Sequence, residues 1–333
     1  MDFKFCPHCG ASLATAPGAG FCPACGGALG GGDKKRGHPF LLAGLALLLG
    51  GALLAGLLWF FKALPTPLLA SDSSWLCFTA ESADATVGLE AVGNAPAVAL
   101  EISPDGRVWN DWGQPRVAYL RQPGDKLYVR AKSANRSFVN LDERKRKNDY
   151  HRFAISGKVA ASGNIMSLVD KEGKRLSLEG MDFAFAFLFK DCAGLTAAPR
   201  LPATKLAKGC YALMFMNCAG LTHAPELPAT ELAEVCYGGM FMNCTGLTHA
   251  PELPATELAK GCYARMFKNC AKLTRAPELP ATELADRCYY AMFEYCANLT
   301  AAPAIPAAAT GREDSGIETM FVFCDGIKDK PEK

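Results

Sequence analysis

Four cysteines near the N-terminus have the type and spacing to hold a metal ion. Cys6 and Cys9 form one CxxC knuckle, Cys22 and Cys25 a second, and twelve residues separate Cys9 from Cys22. Paired knuckles at this spacing suit one tetrahedral zinc ion, and four thiolates leave no open coordination position for catalysis. The expected ion is structural, because residues 1–29 are too few to bury a core of their own. His8, between the first two ligands, reads as an exposed loop residue. A redox role for one CxxC is the alternative, and the second knuckle argues against it.

Elsewhere the sequence gives a catalytic reading little to work with. Of five histidines, His8 and His38 precede a long apolar run, His151 follows the basic run Arg144–Lys147, and His223 and His249 are equivalent positions of a repeat. None completes a nucleophile and base set or an open metal site, and no phosphate-binding loop or dinucleotide fingerprint occurs. A formal net charge of +2 over 333 residues, with no basic aromatic platform, argues against nucleic acid as a partner. The expectation is a binding protein and not an enzyme.

The elements that must present a binding surface repeat. Cys192, Cys218, Cys244, Cys270 and Cys296 are 26 residues apart, and the copies run 193–218, 219–244, 245–270, 271–296 and 297–324. A fixed period of this size predicts a solenoid, one unit stacked on the next. Leu221, Tyr237 and the pair Met240–Phe241 recur in kind and form the expected core. Positions that accept His, Arg, Glu or Ala alike face solvent, so His223, Glu226, His249, Glu252, Arg275 and Glu278 are the candidate partner-binding residues. Pro225 and Pro228 cannot donate to a sheet ladder. Each coil is therefore expected to carry one short strand near Leu221, a proline-shaped turn, and a short helix or 3₁₀ turn over LAEVCYGGMF. The last copy stretches to 28 residues and decays into a charged tail, as a terminal cap does.

The LPAT, CY and MFxxC phrases make this repeat similar to the BspA-like leucine-rich repeats of bacterial surface proteins, and segments 93–112 and 156–170 resemble the β-rich region that precedes such repeats. The resemblance implies an exported protein whose curved solenoid binds a protein, peptide or glycan and has no enzymatic activity. The CPxCG form of both knuckles likewise resembles the short zinc ribbons of bacterial membrane proteins.

Residues 39–61 contain no charge and span about 34 Å as a helix, enough for a transmembrane segment in contact with lipid. Lys34, Lys35 and Arg36 before it, against Lys62 after it, place the N-terminus in the cytoplasm and the repeats outside. Small residues four apart, such as Ala46 with Gly50 and Ala52 with Gly56, permit a homodimer through this helix. TVGLEAV, AVALEIS and KLYVRAK read as strands of a small sandwich that also caps the first coil.

The expected fold class is thus multidomain: zinc ribbon 1–29, Gly/basic linker 30–38, transmembrane helix 39–61, linker 62–71, β-sandwich-like domain 72–178, leucine-rich-repeat solenoid of about five coils 179–327, and charged tail 328–333. The expected function is a single-pass bacterial membrane protein that binds or adheres through its extracytoplasmic solenoid. The alternative is a sensor or envelope assembly factor that couples the solenoid to the ribbon. Of fifteen cysteines, four are assigned to zinc, ten fall in the repeats and Cys77 stands alone. Disulfides and buried thiols both fit the ten, and one small apolar residue at the same place in every coil favours thiols.

Overall fold

The computed structural model describes residues 74–142, 147–306 and 314–327, all within one compact unit that begins at Ser73. Period-two alternation builds its first part. In β2 (Ala85–Val92), Ala85, Val87 and Leu89 turn inward, and in β6 (Lys126–Ala131) Leu127, Val129 and Ala131 do so. The remaining strands are β1 (Leu76–Ala80), β3 (Leu100–Ser103), β4 (Asn110–Asp111), β5 (Val117–Leu120), β7 (Val139–Asp142), β8 (Lys147–Ser156), β9 (Val159–Ser162) and β10 (Leu195–Ala197).

They form a six-stranded sheet, β10-β9-β1-β6-β3-β4, and a four-stranded sheet, β5-β2-β8-β7. Phe78 on β1 meets Phe153 on β8 edge to face at 4.9 Å, which joins the two inner faces. A 3₁₀ turn, Ile165–Leu168, closes this part, with the Asn164 side chain accepting from the Met166 amide at 2.9 Å.

After β9 the chain changes its hydrogen-bond pattern. In 209–218, even-numbered amides bond within the coil, as in Ala212 to Gly209 O at 2.9 Å and Met214 to Tyr211 O at 3.2 Å. Odd-numbered amides bond to the next coil, as in Tyr211 to Cys236 O at 3.0 Å and Phe215 to Met240 O at 2.9 Å. Every fourth residue has a positive φ: Gly209 at 57°, Leu213 at 56° and Asn217 at 64°, then Val235, Gly239 and Asn243 one coil later. A non-glycine residue there costs about 1–2 kcal/mol. The cost is met because each such turn frees one N–H for the following coil and one carbonyl for the preceding one. Gly209 has a second reason to be glycine, since a Cβ would lie 2.2 Å from the Phe183 ring.

This geometry corrects the expected repeat. LAEVCYGGMF is neither helix nor 3₁₀ turn, because a left-handed residue at every fourth position breaks an i→i−4 ladder, and Cys, Tyr, Gly and Phe add little helical propensity. Nor does each coil carry a strand: β10 is the strand of the first coil, and later copies hold isolated pairings such as His223 with His249. The prolines beside these positions lack the amides that a longer ladder needs. The two sheets do not form a solenoid, and the leucine-rich-repeat fold class is withdrawn: the coils are joined turn to turn, not through a strand per repeat.

Five copies were also one turn segment too few. Residues 183–192 make the same bonds, as in Phe185 to Cys210 O at 2.9 Å, but FAFAFLFKDC conceals the CY and MF phrase.

The membrane-anchored layout is corrected as well. Among the described residues no helix is long and apolar enough to cross a membrane, and the α-helix Ile317–Met320 has four residues. The single-pass bacterial membrane location, with a cytoplasmic N-terminus and extracytoplasmic repeats, is withdrawn on that finding, and the span expected at 39–61 lies outside the described residues. Cys6, Cys9, Cys22 and Cys25 also lie outside them, and among the described residues no group of three or more His, Cys, Asp or Glu side chains is placed to hold a metal ion. Zinc binding thus rests on the sequence alone.

One hydrophobic core runs from the sheets to the last coil. Phe153 stacks on Phe189 at 5.0 Å, and the column continues through Phe215, Phe241, Phe267, Phe293 and Phe321 at 5.3–5.7 Å. Tyr211, Tyr237, Tyr263 and Tyr289 form a second column at 5.9–6.2 Å. The sheets close the first coil: Phe138 and Phe153 N–H donate to Ala184 O and Leu188 O at 3.0 and 2.7 Å, and β9 pairs with β10 in parallel. Arg152 bridges the same junction through ion pairs to Asp191 and Glu90.

Candidate binding interface

The ten repeat cysteines and Cys77 are buried and unbonded to one another. In one register the thiol donates to a carbonyl of the preceding coil, as in Cys218 to Phe189 O and Cys244 to Phe215 O, both 3.0 Å. Burial pushes the thiols of Cys192, Cys210, Cys244, Cys262 and Cys296 up to about 12. Such groups are neither nucleophiles nor metal ligands at neutral pH. Beside them runs a ladder that the sequence reading overlooked: Asn217 Nδ2 donates to Asp191 Oδ1 at 2.6 Å, Asn243 to Asn217 at 2.8 Å, and Asn269 to Asn243 at 3.1 Å. The signal was visible as the residue before each of these cysteines. Asn also tolerates the left-handed backbone this position requires.

Three lysines on the turn side of the stack are paired with acidic residues one coil on. Lys208 meets Glu234 at 3.4 Å, Lys260 meets Asp286 at 2.8 Å, and Lys268 meets Glu294 at 2.6 Å. The proline side differs. Glu226, Glu252 and Glu278 are exposed, as are Glu231, Glu257 and Glu283, which stack in register through parallel bridges. Among the described residues none of these six carboxylates makes an ion pair. Like charges about 4.8 Å apart repel by about 1 kcal/mol per pair in water.

Beside the first row, the imidazoles of His223 and His249 stack at 4.8 Å with planes 6° apart, both exposed, and Arg275 occupies the same register in the next coil. The Thr248 hydroxyl donates its one hydrogen to Thr222 O at 3.0 Å. Its 2.9 Å contact with His249 Nδ1 therefore has the ring N–H as donor, which leaves Nε2 of the neutral ring as a bare acceptor. Glutamate oxygens and this Nε2 make the ridge rich in acceptors, with the Arg275 guanidinium at one end. The six candidate residues thus share one ridge, whereas the four zinc cysteines are outside the described residues.

No protein-family model, curated protein or solved structure matches this chain, so nothing beyond the repeat phrases themselves ties it to BspA-like proteins or to leucine-rich repeats.

Proposed function

We propose that the chain is a non-enzymatic binding protein whose proline-side ridge captures a basic segment of another protein or peptide. The observation that carries the reading is the contrast in charge pairing. Three turn-side lysines find acidic partners one coil on, while six in-register glutamates face solvent without an ion pair among the described residues. A lysine- or arginine-rich segment relieves that repulsion and donates to both carboxylates and His249 Nε2. Buried, strongly shifted thiols and the absence of a recognisable catalytic set in the sequence support binding over catalysis.

The test is a titration of the full-length chain with fluorescein-labelled octalysine, read by anisotropy, with octaglutamate as control. Saturable octalysine binding that weakens with salt and falls at least tenfold in the E226Q/E252Q/E278Q variant supports the reading. Equal binding by that variant overturns it.

A further inference from the structure

Of the three histidines among the described residues, His223 and His249 are exposed, whereas His151 is 5% exposed on β8, where the sheets meet the first coil. Its backbone belongs to that junction. His151 N–H donates to Phe138 O at 2.8 Å, and Phe138 N–H donates in turn to Ala184 O at 3.0 Å. The imidazole meets Phe138 edge to face at 6.3 Å, and Phe138 lies 6.1 Å from Phe185, which stacks on Tyr211 at 5.9 Å.

The ring also fastens a loop. His151 Nε2 lies 2.7 Å from Pro96 O, in the connection between β2 and β3. A carbonyl only accepts, so Nε2 carries the hydrogen of the neutral ring, and Nδ1 keeps a buried lone pair without a partner. Arg116 holds the same end of the sandwich, donating to Val98 O at 2.7 Å and to Trp112 O at 3.1 Å. Asp149, two residues along β8, abuts Gly93 at the start of the connection, and its buried Oδ1 has no partner. The Glu90 carboxylate on β2 is taken by Arg152. Burial is the largest influence on His151 and, with the Arg116 charge, holds the imidazole below its ordinary value of 6.5, against the pull of the Pro96 and Glu90 carbonyls.

We propose that His151 is an acid-sensitive fastening of the sheets to the stack, independent of the glutamate ridge. Neutral, it ties the 93–99 connection and β8 together over Phe138. Protonated, it sets a second cation near Arg116 in a buried corner, and the corner opens, which frees Ala184 O and Leu188 O from the Phe138 and Phe153 amides. The opened corner wets the ring, which then takes its proton before the closed one does. The fastening is therefore whole above about pH 6.5 and weakens below it, by up to about tenfold in the opening equilibrium per pH unit.

The test is native-state hydrogen exchange of the full-length chain at pH 7.5 and 5.5, corrected for intrinsic exchange rates. Acid should raise the opening of the Phe138, His151 and Phe153 amides by roughly three- to tenfold and leave those of Tyr237 and Phe241 unchanged. In H151Q, whose side-chain amide can donate to Pro96 O but cannot titrate, that rise should vanish, whereas in H223Q/H249Q it should persist. An equal melting temperature at pH 7.5 confirms that H151Q folds. In the wild-type chain, the ring-carbon shifts of His151 should report a neutral imidazole at about pH 6.5, where a free one is half protonated, a reading that needs no variant. A rise spread evenly over the stack, a rise retained by H151Q, or a His151 ring already half charged at that pH overturns the proposal.

Discussion

Ala224 and Tyr237 belong to the same coil, yet their amides meet different fates. Tyr237 N–H donates to Cys262 O at 3.0 Å inside a fully bonded turn, whereas Ala224 reaches His249 O at 3.4 Å, followed by Pro225, which has no N–H to offer. The turn half bonds its amides from coil to coil, pairs three of its lysines and buries the phenylalanine and tyrosine columns. The proline half holds sparse bonds and leaves carboxylates in solvent. Cohesion is thus concentrated on one side of each coil, and carboxylates without an ion pair among the described residues lie on the other.

The comparison can be tested at graded strength. Removing a ring from the middle of the phenylalanine column, Phe241→Ala, should destabilise by about 3–5 kcal/mol in urea unfolding, whereas Glu252→Ala on the opposite side should stay within about 0.5 kcal/mol. Similar costs for both would dissolve the distinction.

High pH comes next. The buried thiols are raised from 9.0 to about 12, so above pH 9 the unfolded chain releases protons that the folded chain retains. Their contribution is whole below pH 9 and lost as pH rises toward 12, at up to about 1.4 kcal/mol per pH unit for each thiol. Melting temperatures measured from pH 8 to 11 should fall steeply. A flat profile would mean that the thiols are not buried.

Asn243→Ala leaves Asn217 Oδ1 and Asn269 Nδ2 unpaired and places a Cβ-restricted residue at positive φ, so a loss of about 1–3 kcal/mol is expected by calorimetry. Native-state hydrogen exchange should find the amides of Tyr237 and Phe241 protected well beyond that of Ala224. A small effect of opposite sign belongs to E226Q/E252Q/E278Q. Relieving repulsion should stabilise the chain by about 1 kcal/mol or less, with the gain shrinking as salt is added.

Much of the stack's interior was legible. Tyr237, Met240, Phe241 and Leu247 recur at a fixed period because each must meet its own equivalent one coil away, and a ladder of like side chains leaves a mark in the sequence. The exposed ridge was legible for the complementary reason, since His223, His249 and Arg275 differ where packing imposes nothing. What failed was backbone geometry. The spacing of Leu232, Cys236 and Met240 fits a helix, but it equally fits turns of four residues, and only φ separates the two. The Asn ladder escaped notice because a polar residue beside a buried cysteine reads as a loop until its partner 26 residues away is in view.

The sequence by itself determined the repeat, its period, the residues that must be inside and the row of glutamates outside, because these depend on which side chains recur. Only the tertiary structure decided that turn-to-turn hydrogen bonds join the coils, that the thiols are buried and not linked as disulfides, and that the sheets close the first coil. Those features depend on where each N–H and C=O points, and a list of side chains does not carry that direction.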